Sequence, residues 1–198
     1  MLPTKGTSKL AGAAVMVMGA AMVLPGSSRA AEPVLAMSAV AVNMSGVGRA
    51  RPQTIEIVIE RWSTDEERKA LMDTIVEKGT DDLLEAVQKI KPRAGFIRTT
   101  TSLGWDIQFA HYEDLPSGGR KIVFGTDRPM GFYEVRDNTR SADYEYMLCE
   151  IRLGPDGKGV GKLATAAKIS YDRARKELEI ENYGIEPVRL TQVTATKK

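Results

Sequence analysis

The sequence has one histidine, one cysteine and few aromatic residues, and each shortage excludes a kind of site. Its 198 residues contain a single histidine, His111, and a single cysteine, Cys149. A zinc site built from several imidazole or thiolate ligands needs more of both, and a lone cysteine cannot form an internal disulfide. A Ser-His-Asp triad would have to use His111, but the G-x-S-x-G turn is absent. Calcium-loop and phosphate-loop motifs are absent as well, so we expect no cofactor and no metal.

A surplus of basic residues is also missing once the N-terminal segment is set aside. The 28 Lys and Arg residues and 26 Asp and Glu residues give a net charge of +2. Three of the basic residues, Lys5, Lys9 and Arg29, lie in a stretch of 30 residues without an acid, and the remainder carries 25 basic and 26 acidic residues. Because nucleic-acid affinity depends on a concentrated basic face, we expect no nucleic-acid partner.

Residues 1–30 have the three-part pattern of a secretory signal peptide. Two lysines precede an apolar run of 15 residues, Leu10–Leu24, and small residues at Ser28 and Ala30 fit a cleavage site before Ala31. The pattern predicts an extracytoplasmic protein, either periplasmic or secreted. An uncleaved anchor is the alternative, although a membrane-spanning helix needs roughly 20 residues. Since no comparable run follows residue 50, we expect membrane attachment only through an uncleaved signal segment.

The rest of the chain divides into a tether and one domain. Residues 31–52 have no aromatic residue and no sustained period, which predicts a flexible tether, with a strand formed by VLAMSAVAV as the alternative. All twelve aromatic residues lie between Trp62 and Tyr183. The sequence therefore predicts a single β-rich domain over residues 53–198. Its length is sufficient for one hydrophobic core.

The domain opens with a strand followed by two helices. In TIEIVIERW, Ile55, Ile57 and Ile59 alternate with polar or smaller residues, which indicates a strand with one buried face. Next, Ser63 with Glu66 and Thr64 with Glu67 both fit a capping box, and Gly79 is suited to end that helix. A second short helix, DDLLEAVQKI, follows directly and stops before Pro92.

After Pro92 the chain alternates short β-type segments with turn signals. These segments are GFIRTTTS, GWDIQFAHY, RKIVFGT, MGFYEV, DYEYMLCEIRL, VGKLATAAKIS, ELEIENY and PVRLTQVTAT. The short connections predict an antiparallel meander. The fold class is α+β and mostly β, with about 8–9 strands and a helical pair inserted after the first strand. We favour a barrel in which the first strand pairs with the last, because closure removes exposed edges; a strongly bent open sheet is the alternative.

The single histidine and the single cysteine both lie in predicted strands. In WDIQFAHY, the alternation predicts that Trp105, Ile107, Phe109 and His111 share one face, where a histidine is usually structural at the rim of a core. Cys149 alternates with apolar residues in MLCEI, which is typical of a small buried side chain rather than a nucleophile.

The segment FIRTTTSLGWDI combines hydroxyl groups with a cation and an indole. Polar groups on an inward face need partners, which a ligand can supply. The predicted ligand-binding set therefore comprises Arg98, Thr100, Trp105, Phe109, His111 and Tyr133.

Three segments resemble motifs of an uncharacterised family of secreted bacterial proteins. They are TDRPMGFYE at 126–134, SLGWDI at 102–107 and ENYGIEPVRLTQV at 181–193, and the likeness extends over the body from Thr54 onward. The resemblance implies a secreted, single-domain protein. It implies no activity and no catalytic residues.

Three functions are consistent with these observations. The first is a non-enzymatic β-rich domain that binds a small apolar ligand inside a barrel or against its sheet, in a pocket touching Trp105, Phe109 and either Tyr133 or Tyr146. The second is a module that binds protein or envelope partners through a strand edge or apolar patch. The third is an enzyme that uses His111 with carboxylates, drawn from Asp106, Glu113, Asp114, Asp127, Glu134 and Asp143. The sequence leaves catalytic residues and oligomeric state unknown.

Overall fold

The computed structural model describes residues 32–42, 52–130, 144–182 and 186–196. The predicted signal peptide, the MGFYEV segment beyond Met130, and Tyr133 lie outside these residues. Nine strands and two helices are described. The strands are β1 (Leu35–Val42), β2 (Gln53–Ile59), β3 (Gly95–Thr99), β4 (Trp105–Asp114), β5 (Arg120–Thr126), β6 (Tyr146–Leu153), β7 (Lys158–Asp172), β8 (Glu177–Asn182) and β9 (Val188–Thr196). The helices are α1 (Asp65–Glu77) and α2 (Leu83–Gln88).

Eight of the strands close an antiparallel barrel, which confirms the favoured architecture. The order around the barrel is β1-β2-β3-β4-β5-β6-β7-β9, and β9 returns to pair with β1. The first seven form a meander in which each strand pairs with the next, and β6 pairs with the first part of β7. β9 fills the last position between β7 and β1. Closure leaves every barrel strand with two partners.

Residues 35–42 belong to this barrel, so the prediction of a flexible tether over 31–52 is wrong for them. β1 pairs with β2 from Leu35↔Ile59 to Ala41↔Gln53 and with β9 from Ala36↔Thr196 to Val42↔Arg189. Met37, Ala39 and Ala41 point into the core. The strand that closes the barrel with β9 is therefore β1, and the TIEIVIERW strand is the second one.

The barrel interior is filled by side chains. Alternation in β2 places Ile55, Ile57 and Ile59 inside, as predicted, at 2% exposure or less. The interior also holds Phe124 and residues on the same face of every other barrel strand. Twelve large side chains are fully buried. They are Phe124, Met37, Ile55, Ile57, Ile59, Ile97, Ile107, Ile122, Met147, Ile151, Leu163 and Leu190. These side chains form the main hydrophobic core of the described residues.

The helical pair follows β2 and lies against the outside of the barrel. Thr64 is the N-cap of α1. Its hydroxyl accepts from the Glu67 amide at 3.2 Å, and the Glu67 carboxylate accepts from the Thr64 amide at 3.0 Å. Of the two capping boxes that fit the sequence, the structure forms the one at Thr64. Gly79, with φ +100°, follows the end of α1 in the left-handed conformation expected of a helix-ending glycine.

β7 is longer than the barrel needs. Its first part pairs with β6 and β9, while residues Ala167–Asp172 pair with Glu177–Asn182 of β8. We call residues 167–182 the β7–β8 hairpin. Within the described part of the chain, β8 has only β7 as a partner. No described helix has the length and hydrophobicity required to span a bilayer.

Candidate functional site

A second, smaller cluster of apolar side chains lies outside the barrel. It joins the helical pair, through Ile75, Leu83 and Val87, to the outer face of β6 and β7 at Tyr146 and Ala167. The cluster covers this part of the barrel surface only incompletely. A cavity of about 430 Å³ remains beside it, which we call the apolar groove.

The apolar groove has three walls. The floor is the outer face of β4, β5 and β6, one side is the helical pair, and the other side is the β7–β8 hairpin. The floor includes Phe109, Val123 and Leu148. The helical side includes Leu71, Met72 and Ile75, and the hairpin side includes Ile169, Leu178 and Ile180. Gly125 contributes to the floor, where a Cβ atom would lie 2.9 Å from the Leu148 side chain. A glycine at this position therefore keeps space in the groove.

A β-bulge in β4 turns two of the sequence-predicted ligand residues toward the outside. The register with β5 shifts between Ile107 and Phe109, and Gln108 is the extra residue. Ile107 and Ala110 both face the core, whereas Phe109 lines the apolar groove outside it. The prediction that Trp105, Ile107, Phe109 and His111 share one face is therefore wrong, because one inserted residue reverses the alternation that follows.

His111 lies beside Arg68 of α1 and has no carboxylate partner among the described residues. The two side chains approach to 3.3 Å between Nη1 of Arg68 and Nε2 of His111. The guanidinium can only donate, so Nε2 of His111 is the acceptor in this contact. Arg68 itself lines the apolar groove. The contact holds the cation at the margin of an otherwise apolar surface.

Arg68 is the one charged residue among the described residues that line the groove. No described acid forms an ion pair with it, whereas the neighbouring Glu113 is paired with Lys121 at 2.6 Å. This pairing holds the pKa of Glu113 below its ordinary value, and the charges of His111 and Arg68 act in the same direction. The positive charge at the groove therefore has no dedicated anionic partner within the described chain.

Tyr146 brings a polar atom into the wall of the groove. The residue is 4% exposed, and its hydroxyl has no hydrogen-bond partner among the described residues. Burial raises the pKa of this phenol, and the charge of Glu145 adds to the effect. The hydroxyl is therefore a neutral donor in an apolar setting.

The other candidates lie elsewhere or outside the described chain. Arg98 and Thr100 line an open polar cleft of about 490 Å³ over β1, β2 and β3. Arg98 is paired there with Glu56 at 2.6 Å. Trp105 packs against the barrel core, and Tyr133 is not described. The structure thus brings Phe109 together with His111 and separates both from Arg98 and Thr100.

Helix α1 is positioned over the groove by an arginine clamp. Arg61 donates to both carboxylate oxygens of Glu67 at 2.8 and 2.9 Å and to the carbonyl of Pro92 at 2.6 Å. The clamp connects the first turn of α1 to the segment after α2. Ser63 adds two hydrogen bonds to the Ala110 backbone of β4. Together these contacts fix Arg68 relative to the sheet.

Of the remaining candidate carboxylates, two have cationic partners, whereas Asp127 has no ion pair among the described residues. Asp106 is paired with Arg93 and Asp114 with Arg120, while Glu134 and Asp143 are not described. Cys149 is buried among apolar side chains, and burial raises the pKa of its thiol. This confirms the interpretation of Cys149 as a small core residue. Among described residues, no group of three His, Cys, Asp or Glu side chains is placed to hold a metal.

Sequence reasoning missed Arg68 and the hairpin wall. Arg68 lies on a helix between acidic and basic neighbours, where a solvent-exposed role is the ordinary expectation. Leu178 and Ile180 alternate with glutamates in ELEIEN, which indicates a normal amphipathic strand. The available signal was spacing, since Arg68, Leu71, Met72 and Ile75 follow the i, i+3, i+4, i+7 pattern of one helix face.

Comparisons of the chain with protein-family models, curated proteins and solved structures found no match. The resemblance to a family of secreted bacterial proteins therefore stays a prediction, and the functional argument depends on the geometry of the site.

Proposed function

We propose that this protein is an extracytoplasmic binding protein that holds a small apolar ligand in the apolar groove. The observation that carries the proposal is the groove itself, a cavity of about 430 Å³ with one charged lining residue. This volume lies within the range of roughly 300–1,000 Å³ that is typical of small-molecule sites.

Exposed apolar side chains support the same conclusion. Met72, Leu178 and Ile180 line the groove and are 38%, 42% and 61% exposed. Val76, on the same helix, is 45% exposed. Clustered apolar exposure is unfavourable in water and usually marks a surface that is covered in function. A bound apolar molecule would cover the three lining residues together.

The extracytoplasmic part of the proposal depends on the N-terminal sequence. Residues 1–30 have the order of features of a signal peptide, ending at Ala30. A binding protein needs no catalytic group, which agrees with the fact that three of the four described candidate carboxylates, Asp106, Glu113 and Asp114, are paired with cations. The interaction-module alternative would use an apolar patch or the edge of β8, which has no strand partner other than β7 among the described residues. That strand carries Glu177, Glu179 and Glu181, and charge of this kind opposes pairing with another strand.

The test measures binding of Nile red, a neutral dye whose fluorescence increases in apolar surroundings. We expect saturable binding to the purified protein and about tenfold weaker binding by Ile180→Asp, because a carboxylate would enter the apolar wall. Val160→Asp is the matched control, since Val160 is 60% exposed and lies away from the groove. The intact mass of the same protein, purified from cells, should correspond to a chain that begins at Ala31.

The proposal fails if the dye does not bind saturably, or if the two aspartate variants weaken binding equally. Thermal unfolding of both variants checks that a difference in dye binding does not come from loss of the folded structure. Because both replaced side chains are more than half exposed, neither substitution should disturb the core.

A further inference from the structure

We propose that the ligand of the apolar groove is a single-chain amphiphile with an anionic head, and that Arg68 binds the head. This inference rests on the proposed function and specifies its ligand class. The juxtaposition that carries it is an apolar groove with a cation at one margin and no described acid in its lining.

The state of Arg68 differs from that of most arginines in the structure. Arg61, Arg93, Arg98, Arg120, Arg152, Arg175 and Arg189 each lie within 4 Å of a carboxylate oxygen. Arg68 has the His111 ring, and no carboxylate, as its side-chain partner among the described residues. One Nη–H points to His111, which leaves further guanidinium donors for an anion.

The apolar path starts at this cation. Leu71, Met72 and Ile75 follow Arg68 on one face of α1 and line the same groove. At 1.5 Å per residue, the seven residues from Arg68 to Ile75 span roughly 10 Å. A head group at Arg68 therefore leaves its hydrocarbon chain alongside α1, between that helix and the β7–β8 hairpin.

The shape of the groove favours a single molecule over a membrane surface. Its walls are the sheet, the helical pair and the hairpin, so the apolar side chains face one another across a concave space. A concave, mostly apolar space of this kind is typical of a site that encloses one small molecule.

The experiment compares laurate with dodecanol, which share a hydrocarbon chain and differ in head charge, and adds dodecylamine as the cationic counterpart. Each competes with Nile red on the purified protein at one pH and ionic strength. We expect laurate to bind about tenfold more tightly than dodecanol, as is typical of a charge-assisted hydrogen bond, and dodecylamine to bind most weakly. Arg68→Met should remove the preference for laurate without weakening dodecanol, and Arg68→Lys should retain part of it.

Arg98→Met is the control, because Arg98 is an arginine of the separate polar cleft. The inference is overturned if laurate and dodecanol bind equally, if Arg68→Met keeps the preference, or if Arg98→Met removes it. The inference is also overturned, in favour of a membrane surface, if the protein co-sediments with phosphatidylglycerol vesicles but does not bind single laurate molecules. If the unsubstituted protein bound neither Nile red nor any of the three amphiphiles, that result would instead contradict the proposed function. Thermal unfolding checks that each variant is folded.

Discussion

At the scale of single residues, the hydroxyl of Tyr146 is an unusual feature of the groove. It is buried with no hydrogen-bond partner among the described residues, and a buried polar group without a partner is costly. The aromatic ring contributes to the apolar cluster with Ile75, Leu83 and Val87. Ring and hydroxyl therefore have opposite effects on stability, and they can be separated by substitution.

Tyr146→Phe should leave the free energy of unfolding unchanged or raise it by about 1 kcal/mol, because the substitution removes the unpaired hydroxyl and keeps the ring. Urea unfolding measures the change. Tyr171→Phe, in a partly buried tyrosine packed against the same cluster, is the matched control. A loss of more than about 1 kcal/mol on Tyr146→Phe would contradict the prediction and show that the hydroxyl is paired outside the described residues.

Residue-level prediction succeeded where an ordinary pattern was enough and failed where a local irregularity intervened. Cys149 alternates with buried neighbours, so its burial could be predicted from MLCEI. The separation of Phe109 from Ile107 could not, because the bulge at Gln108 has no distinctive sequence signal. Arg68 became a candidate only when the fold placed it beside His111.

At the scale of elements, the start of α1 depends on the pair between Arg61 and Glu67. The two side chains are 23% and 25% exposed, so water screens their interaction less than it screens an exposed pair. Hydrogen bonds from Arg61 hold the pKa of Glu67 below its ordinary value, and the Thr64 amide of the capping box acts in the same direction. Glu67 thus links helix capping to the position of the groove wall.

Glu67→Gln should lower the free energy of unfolding by about 1 kcal/mol at pH 7, because glutamine keeps the cap but loses the charge. The folded-state pKa of Glu67 lies below the unfolded value of about 4.3. The contribution of the Glu67 charge to the free energy of unfolding is therefore complete above the unfolded-state pKa and is lost as the pH falls through the folded-state pKa. Urea unfolding of both proteins from pH 7 to pH 3 measures the difference.

We expect the difference between the two proteins to shrink toward pH 3. Glu77→Gln, at the other end of α1, is the control and leaves the Arg61 pair intact. A difference that stays constant over the whole pH range would show that the Arg61 charge does not act through Glu67.

Most elements could be predicted because their signals are local. The alternation of Ile55, Ile57 and Ile59 indicates a strand by itself, and Thr64 with Glu67 indicates a helix start. β1 was harder to assign because Ala36, Ser38, Ala39 and Ala41 give little contrast between its two faces. Its strand conformation is imposed by two neighbours that are distant in sequence, β2 and β9.

At the scale of the whole molecule, closure of the barrel depends on those distant partners. β1 pairs on one side with the next strand in sequence and on the other with residues 189–196. An antiparallel meander could be predicted from the short connections, but which strand completes the ring could not, because pairing across 150 residues has no local signature. The groove was equally hidden, since its three walls come from separate parts of the chain.

The role of β1 can be tested by comparing a chain that begins at Glu32 with one that begins at Gln53. Without β1, the barrel loses the buried side chains Met37 and Ala39 and exposes the facing edges of β2 and β9. Unpaired edges of this kind promote association between chains. We expect the chain from Glu32 to unfold cooperatively in urea, and the chain from Gln53 to show no cooperative transition and to aggregate. Equal stability of the two chains would mean that β2 and β9 close the barrel without β1, which their present separation by a whole strand does not permit.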